Sequence, residues 1–207
     1  MVSSVGHEML VMMIPSAALG DRDAVAKLGP LIQQGLPAGQ PHLWVSEVAP
    51  PLRDRVGQVP DRLVLFAHPT DDFLAFRVDG GDGDNMIMPP WWEPPQCRLL
   101  VANVCNGAIV LRTSGWATVF PRWISFDEKL WVFTDAAGTK LWPRVFLSSV
   151  SAVRAGGTLN TVFRRVRQAF EDEIADIDTN VPIGDGKDLH LMCFQRALRA
   201  LTKSEDV

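Results

Sequence analysis

The two side chains best suited to covalent chemistry in this 207-residue chain are His68 and Cys105, and each directly follows a short apolar run. Leu63-Val64-Leu65-Phe66-Ala67 ends at His68, and Leu99-Leu100-Val101-Ala102-Asn103-Val104 ends at Cys105, 37 positions further on. A cysteine attacks as the thiolate, and a nearby imidazole can take its proton, hold an ion pair with the sulfur and later protonate a leaving group. Continuous apolar runs of this length read as strands buried on both faces of a parallel sheet. In such sheets ligand crevices form at the carboxyl ends of the strands. If the two strands are central, both tips face one crevice. The alternative open from these residues alone is a strand-end imidazole bonded to a backbone carbonyl and a small buried thiol.

Other chemistries have less support. His7, His42, His68 and His190 show no metal-ligand spacing with one another or with Cys97, Cys105 and Cys193, so no metal is expected. No GxxxxGK[ST] or GxGxxG phosphate loop occurs, and no cofactor is expected. The run Asp79-Gly80-Gly81-Asp82-Gly83-Asp84 lacks the twelfth-position glutamate and flanking helices of a calcium loop and reads as a plain loop. Glu171-Asp172-Glu173 reads as a solvated helix end, and Arg164, Arg165 and Arg167 as a solvated helix face.

Positioning two strand tips side by side requires a sheet with crossovers, and the hydrophobic pattern supplies one. Met9-Leu10-Val11-Met12-Met13-Ile14 is a first buried strand, and Leu43-Trp44-Val45-Ser46-Glu47-Val48 a second. Between them residues 23–34 carry Val25, Leu28, Leu31 and Ile32 near helical spacing up to Gly35, with Pro30 as an internal obstacle. A short helical turn at 51–56 leads to the run ending at His68. A long loop, with a small hairpin at 73–78, joins that run to the one ending at Cys105. It includes Met86-Ile87-Met88-Pro89-Pro90-Trp91-Trp92-Glu93-Pro94-Pro95. Beyond Cys105, Trp123-Ile124-Ser125-Phe126 and Leu130-Trp131-Val132-Phe133 are strand candidates. A helix is expected over 143–155, stopped by Gly156-Gly157. Thr158 caps another with Leu159, Val162, Phe163, Val166 and Phe170 on one face. A loop is expected over 176–186, and 189–201 reads as a last strand followed by a helix or as one helix throughout. Strands alternating with helices specify an α/β fold, a mostly parallel sheet with helices on both faces.

Composition bounds the rest. An apolar fraction of 47%, a charged fraction of 21% and a mean hydropathy of +0.07 fit one globular domain over 1–207 and exclude a disordered chain. A net charge of −4 removes the electrostatic drive towards phosphate backbones, so no nucleic-acid partner is expected. Three cysteines without a CxxC pair suit a reduced, cytoplasmic setting. The run at 9–14 is too short to span a bilayer and lacks the charged start of a signal peptide, so no membrane association is expected.

The pattern Leu63-Val64-Leu65-Phe66-Ala67-His68, a loop, then Leu99-Leu100-Val101-Ala102-Asn103-Val104-Cys105-Asn106-Gly107-Ala108 resembles the caspase-like cysteine peptidases, especially their bacterial CHAT-domain branch. The resemblance extends over roughly residues 8–172, through the later strand segments, the helix ending in glycine and the helix after it. It implies a three-layer sandwich in which a histidine after the third strand and a cysteine after the fourth form the catalytic dyad. Cys105 matches the nucleophile and His68 the general base. The implied activity is that of a hydrolase, a cysteine endopeptidase acting on a protein or peptide substrate through a thioester, with a regulatory protein as a further partner.

Two positions depart from that family. It normally has His-Gly, whose glycine N–H joins the cysteine N–H in the oxyanion hole, whereas this chain has His68-Pro69 and proline has no N–H. Thr70 and Asn106 are the candidates for a substitute donor. Relatives that cleave after basic residues often carry an aspartate two positions before the cysteine, where this chain has Asn103, so a strong basic preference is not implied. Asn103 and Asn106, with Trp91 and Trp92 on the loop joining the two strands, are the substrate-binding candidates. The departures also fit a catalytically inactive member of the same fold that serves as a binding or regulatory module. In a different class, Val104-Cys105-Asn106-Gly107-Ala108-Ile109-Val110-Leu111 is similar to the nucleophile turn of the DJ-1/PfpI superfamily, although Pro15-Ser16-Ala17 offers no glutamate and Phe120-Pro121-Arg122-Trp123 no histidine.

Overall fold

The computed structural model describes residues 9–15, 23–44, 60–67, 97–113, 120–182 and 186–205. Its strands are β1 (Met9–Ile14), β2 (His42–Trp44), β3 (Arg62–Ala67), β4 (Leu99–Asn103), β5 (Trp123–Phe126) and β6 (Leu201–Lys203). They form one sheet in the order β2-β1-β3-β4-β5-β6. The first five are parallel and β6 is antiparallel to β5. The helices are α1 (Ala24–Gly35), α2 (Gly107–Thr113), α3 (Gly138–Arg154), α4 (Leu159–Asn180) and α5 (Lys187–Ala200).

The continuous apolar runs lie where burial on both faces demands them. Every residue of β1 and β4 is buried. Val11, Met13, Val64, Phe66, Val101 and Ile124 point into a core shared with α1, α3, α4 and α5. Leu10, Met12, Leu65, Leu100 and Ala102 point into a second core closed by Ala108 and Leu111 of α2. The result is the α/β architecture expected, a mostly parallel sheet between two helical layers. Aromatic rings fill the larger core. Phe146 of α3 lies 4.1 Å from Phe66, and Trp142 lies 4.3 Å from Phe194 of α5.

Several boundaries differ from expectation for identifiable reasons. Pro30 is accommodated inside α1, whose N-cap Asp23 accepts the Val25 N–H. β2 begins at His42, and the expected remainder at 45–48 lies outside the described residues, as do the 51–56 turn and the 73–78 hairpin. Leu130 to Phe133 is not a strand. The edge of β5 is taken instead by β6, with Ile124 opposite Lys203, and the 127–133 segment is pinned by Arg196 of α5. That arginine is ion-paired to Glu128 and stacked over Trp131. α3 starts at Gly138 rather than at residue 143, because Asp135 Oδ1 accepts the Gly138 N–H at 2.7 Å and so supplies the missing start. α4 runs to Asn180 through the expected loop, since Ile177 is fully buried and Arg144 binds both Glu173 and Asp176. Of the two readings for 189–201, one helix throughout is correct, and a strand follows it.

Candidate functional site

The chain reverses its direction of strand addition between β1 and β3, and β3, β4 and β5 follow as parallel neighbours. The carboxyl ends of these strands are where such a sheet opens a crevice. Phe66 is the register partner of Asn103, 37 positions away, and Ala67, the residue before His68, closes β3. His68 itself lies outside the described residues, as do Pro69, Thr70, Trp91 and Trp92.

Cys105 stands on a tight link between β4 and α2. Asn106 takes φ +54, in the left-handed region that asparagine tolerates better than most residues. The turn is held from both sides. Asn106 N–H donates to the Glu128 carbonyl at 3.1 Å, and Gly107 N–H to the Val104 carbonyl at 3.3 Å. Gly107 must be glycine: a Cβ there would stand 2.3 Å from Ser125 Oγ, and that buried hydroxyl is fixed by donating to the Ala102 carbonyl at 2.8 Å. No sequence periodicity announces this lock, because it joins a loop glycine to a strand serine through backbone.

The Cys105 sulfur is half-buried, whereas Cys97 and Cys193 are buried. Leu130 N–H donates to Sγ at 3.3 Å, and the thiol donates to the Leu130 carbonyl at 3.7 Å. Burial pushes the Cys105 thiol above its ordinary range. The Leu130 N–H, the nearby Lys129 and the cysteine's own N–H pull it down, but by less. Left to these neighbours the sulfur is a protonated thiol at neutral pH. Cys97 is pushed up to about 12 by burial.

The other candidates divide. Asn103 is buried, its Nδ2 donating weakly to the Leu65 carbonyl at 3.5 Å while its Oδ1 has no partner among the described residues. Asn106 is exposed beside Cys105, yet its backbone N–H is committed to Glu128 and so does not serve as the substitute oxyanion donor. Leu130, in a segment with no chemical signal of its own, proves to be the residue in hydrogen-bond contact with the sulfur. His190 is a structural histidine: fully buried, its Nε2 donates to Asp135 Oδ2 at 3.1 Å, and its ring stands edge-on to Phe133. Among the described residues no group of three or more His, Cys, Asp or Glu is arranged to hold a metal ion. No helix among them is long and apolar enough to cross a membrane.

No protein-family model matches the chain, and neither a curated protein nor a solved structure matches it.

Proposed function

We propose that the chain is a caspase-like cysteine endopeptidase, a cytoplasmic hydrolase of peptide bonds in which Cys105 and His68 form the dyad. One observation carries this reading. The most exposed of the three thiols follows β4, and β4 pairs in register with the strand whose last residue precedes His68. The spacing that pairs Phe66 with Asn103 also separates His68 from Cys105, so in sequence each lies two positions beyond the last register pair of β3 and β4. The three-layer architecture and the succession of α3, Gly156-Gly157 and α4 fit the same resemblance.

In this mechanism His68 removes the proton from Cys105, and the sulfur attacks the peptide carbonyl carbon. The tetrahedral oxyanion collapses to a thioester as the C–N bond breaks, with the imidazolium returning its proton to the departing amine. Water, deprotonated by His68, then releases the acid and restores the thiol. Three free cysteines agree with a reduced compartment. A peptide-library cleavage assay on the full chain tests the proposal: turnover is expected for the wild type and its loss in both Cys105→Ser and His68→Ala. Turnover that survives both substitutions would overturn it.

Specific features favour a second reading, an inactive binding module on the same fold. The thiol is engaged with both backbone groups of Leu130, the Asn106 N–H is occupied, and Pro69 has no N–H to offer. The tight β4–α2 link also suits a DJ-1/PfpI-like nucleophile turn, but the left-handed residue is Asn106 rather than Cys105, and the glutamate and histidine of that class are missing from the expected positions.

A further inference from the structure

The opposite end of the sheet carries a feature independent of the thiol. Three adjacent parallel strands each begin beside an arginine: Arg62 opens β3, Arg98 precedes β4 and Arg122 precedes β5. Arg62 is the register partner of Leu99, so Arg98 stands one residue outside that pair at the same end of the sheet. With Asp61, Gly156 and Gly157 the three arginines line a cavity of about 210 Å³.

Two glycines with left-handed backbone lie on the cavity wall. Gly156 and Gly157 take φ +68 and +117, and a Cβ on Gly156 would come within 3.6 Å of the Arg62 guanidinium. Arg62 donates to the Val153 carbonyl at 3.0 Å, which fixes it against the last turn of α3. Arg98 and Asp61 are only loosely paired, at 3.7 Å, with both side chains largely exposed. Among the described residues no carboxylate pairs with Arg122. The 22-residue helix α4 begins at Leu159 on the cavity wall, and the positive end of its dipole adds to the field.

Arg62 is held against α3, whereas Arg98 and Arg122 are exposed cations, with Asp61 the one carboxylate lining the cavity among the described residues. Like charges on neighbouring strands oppose pairing. Planar guanidinium forks match the oxygens of a tetrahedral oxyanion, each able to give two parallel hydrogen bonds. We infer that this pocket binds a phosphate-class anion, either inorganic phosphate or the phosphoryl group of a small metabolite. Its volume suits a phosphoryl group with few further atoms.

The test is a calorimetric and thermal-shift titration of the full chain with inorganic phosphate and with glycerol 3-phosphate, the ionic strength held constant with sodium chloride. Arg98→Ala/Arg122→Ala is the comparison, because Arg62 also holds α3. Saturable binding is expected, weakened about tenfold or more in the double variant, whose melting temperature without phosphate stays at or above that of the wild type. Tighter binding of inorganic phosphate would point to the free ion and tighter binding of the ester to a metabolite; either order supports the site. Should the double variant fold poorly, Arg122→Gln alone provides the same comparison with a smaller loss. Equal affinity in wild type and variant, or a shift that chloride reproduces at the same ionic strength, would overturn the inference.

Discussion

At the scale of single residues, Cys105 combines accessibility with a disfavoured thiolate. Its half-buried sulfur is reachable, yet burial holds the proton on it against the pull of Leu130 N–H and Lys129. In the proposed mechanism the base therefore comes from outside the turn. The sequence made Cys105 and His68 visible because both residue types are rare and both directly follow apolar runs. It did not reveal Leu130, whose part is played by backbone atoms that any residue carries. The same logic bears on Pro69. With the Asn106 N–H committed to Glu128, restoring a donor at position 69 becomes consequential. Pro69→Gly is expected to raise cleavage of a susceptible peptide about tenfold or more, since one oxyanion donor is typically worth 10²–10³ in turnover. An unchanged rate in a folded variant would show that another donor already serves.

At the scale of elements, the strands that position the site were legible and the helix ends were not. β1 matches its apolar run residue for residue, because burial on both faces leaves no room for polar alternation. α4 outran its expected end because Arg144 holds its last turns from a neighbouring helix, a contact 29 and 32 residues away in sequence. That contact carries a pH signature. Burial pushes the Glu173 carboxyl up to about 6, against the pull of Arg144, with Asp176 adding to the rise. Asp176 itself is held below the usual carboxylate range by Asn180 and Arg144. A folded-state value above the ordinary 4.5 means that the native state binds this proton more tightly than the unfolded chain does. The contribution is thus fully present below about pH 4.5 and lost as pH rises through about 6. Glu173→Gln removes that loss. Relative to wild type it should gain stability between pH 4.5 and 7 in denaturant melts, and a flat or opposite difference would contradict the assignment.

At the scale of the whole molecule, the parallel sheet gives the chain two chemically distinct ends: Cys105 and the tip before His68 at the carboxyl end, and the arginine-lined cavity at the amino end. The fold class could be read from alternating strands and helices, whereas the arginine-lined cavity could not, because Arg62, Arg98 and Arg122 are remote in sequence and meet only through strand pairing. The central claim, that His68 activates Cys105, is tested most directly by the pH dependence of Cys105 alkylation, followed by peptide mapping. If His68 supplies the base, wild-type Cys105 labels ahead of Cys97 and Cys193, with a rate already near its plateau around neutral pH. In His68→Ala the neutral rate collapses, and labelling climbs about tenfold per pH unit towards the alkaline range that burial dictates. Superimposable profiles for the two proteins, or earlier labelling of Cys97 or Cys193, would contradict it.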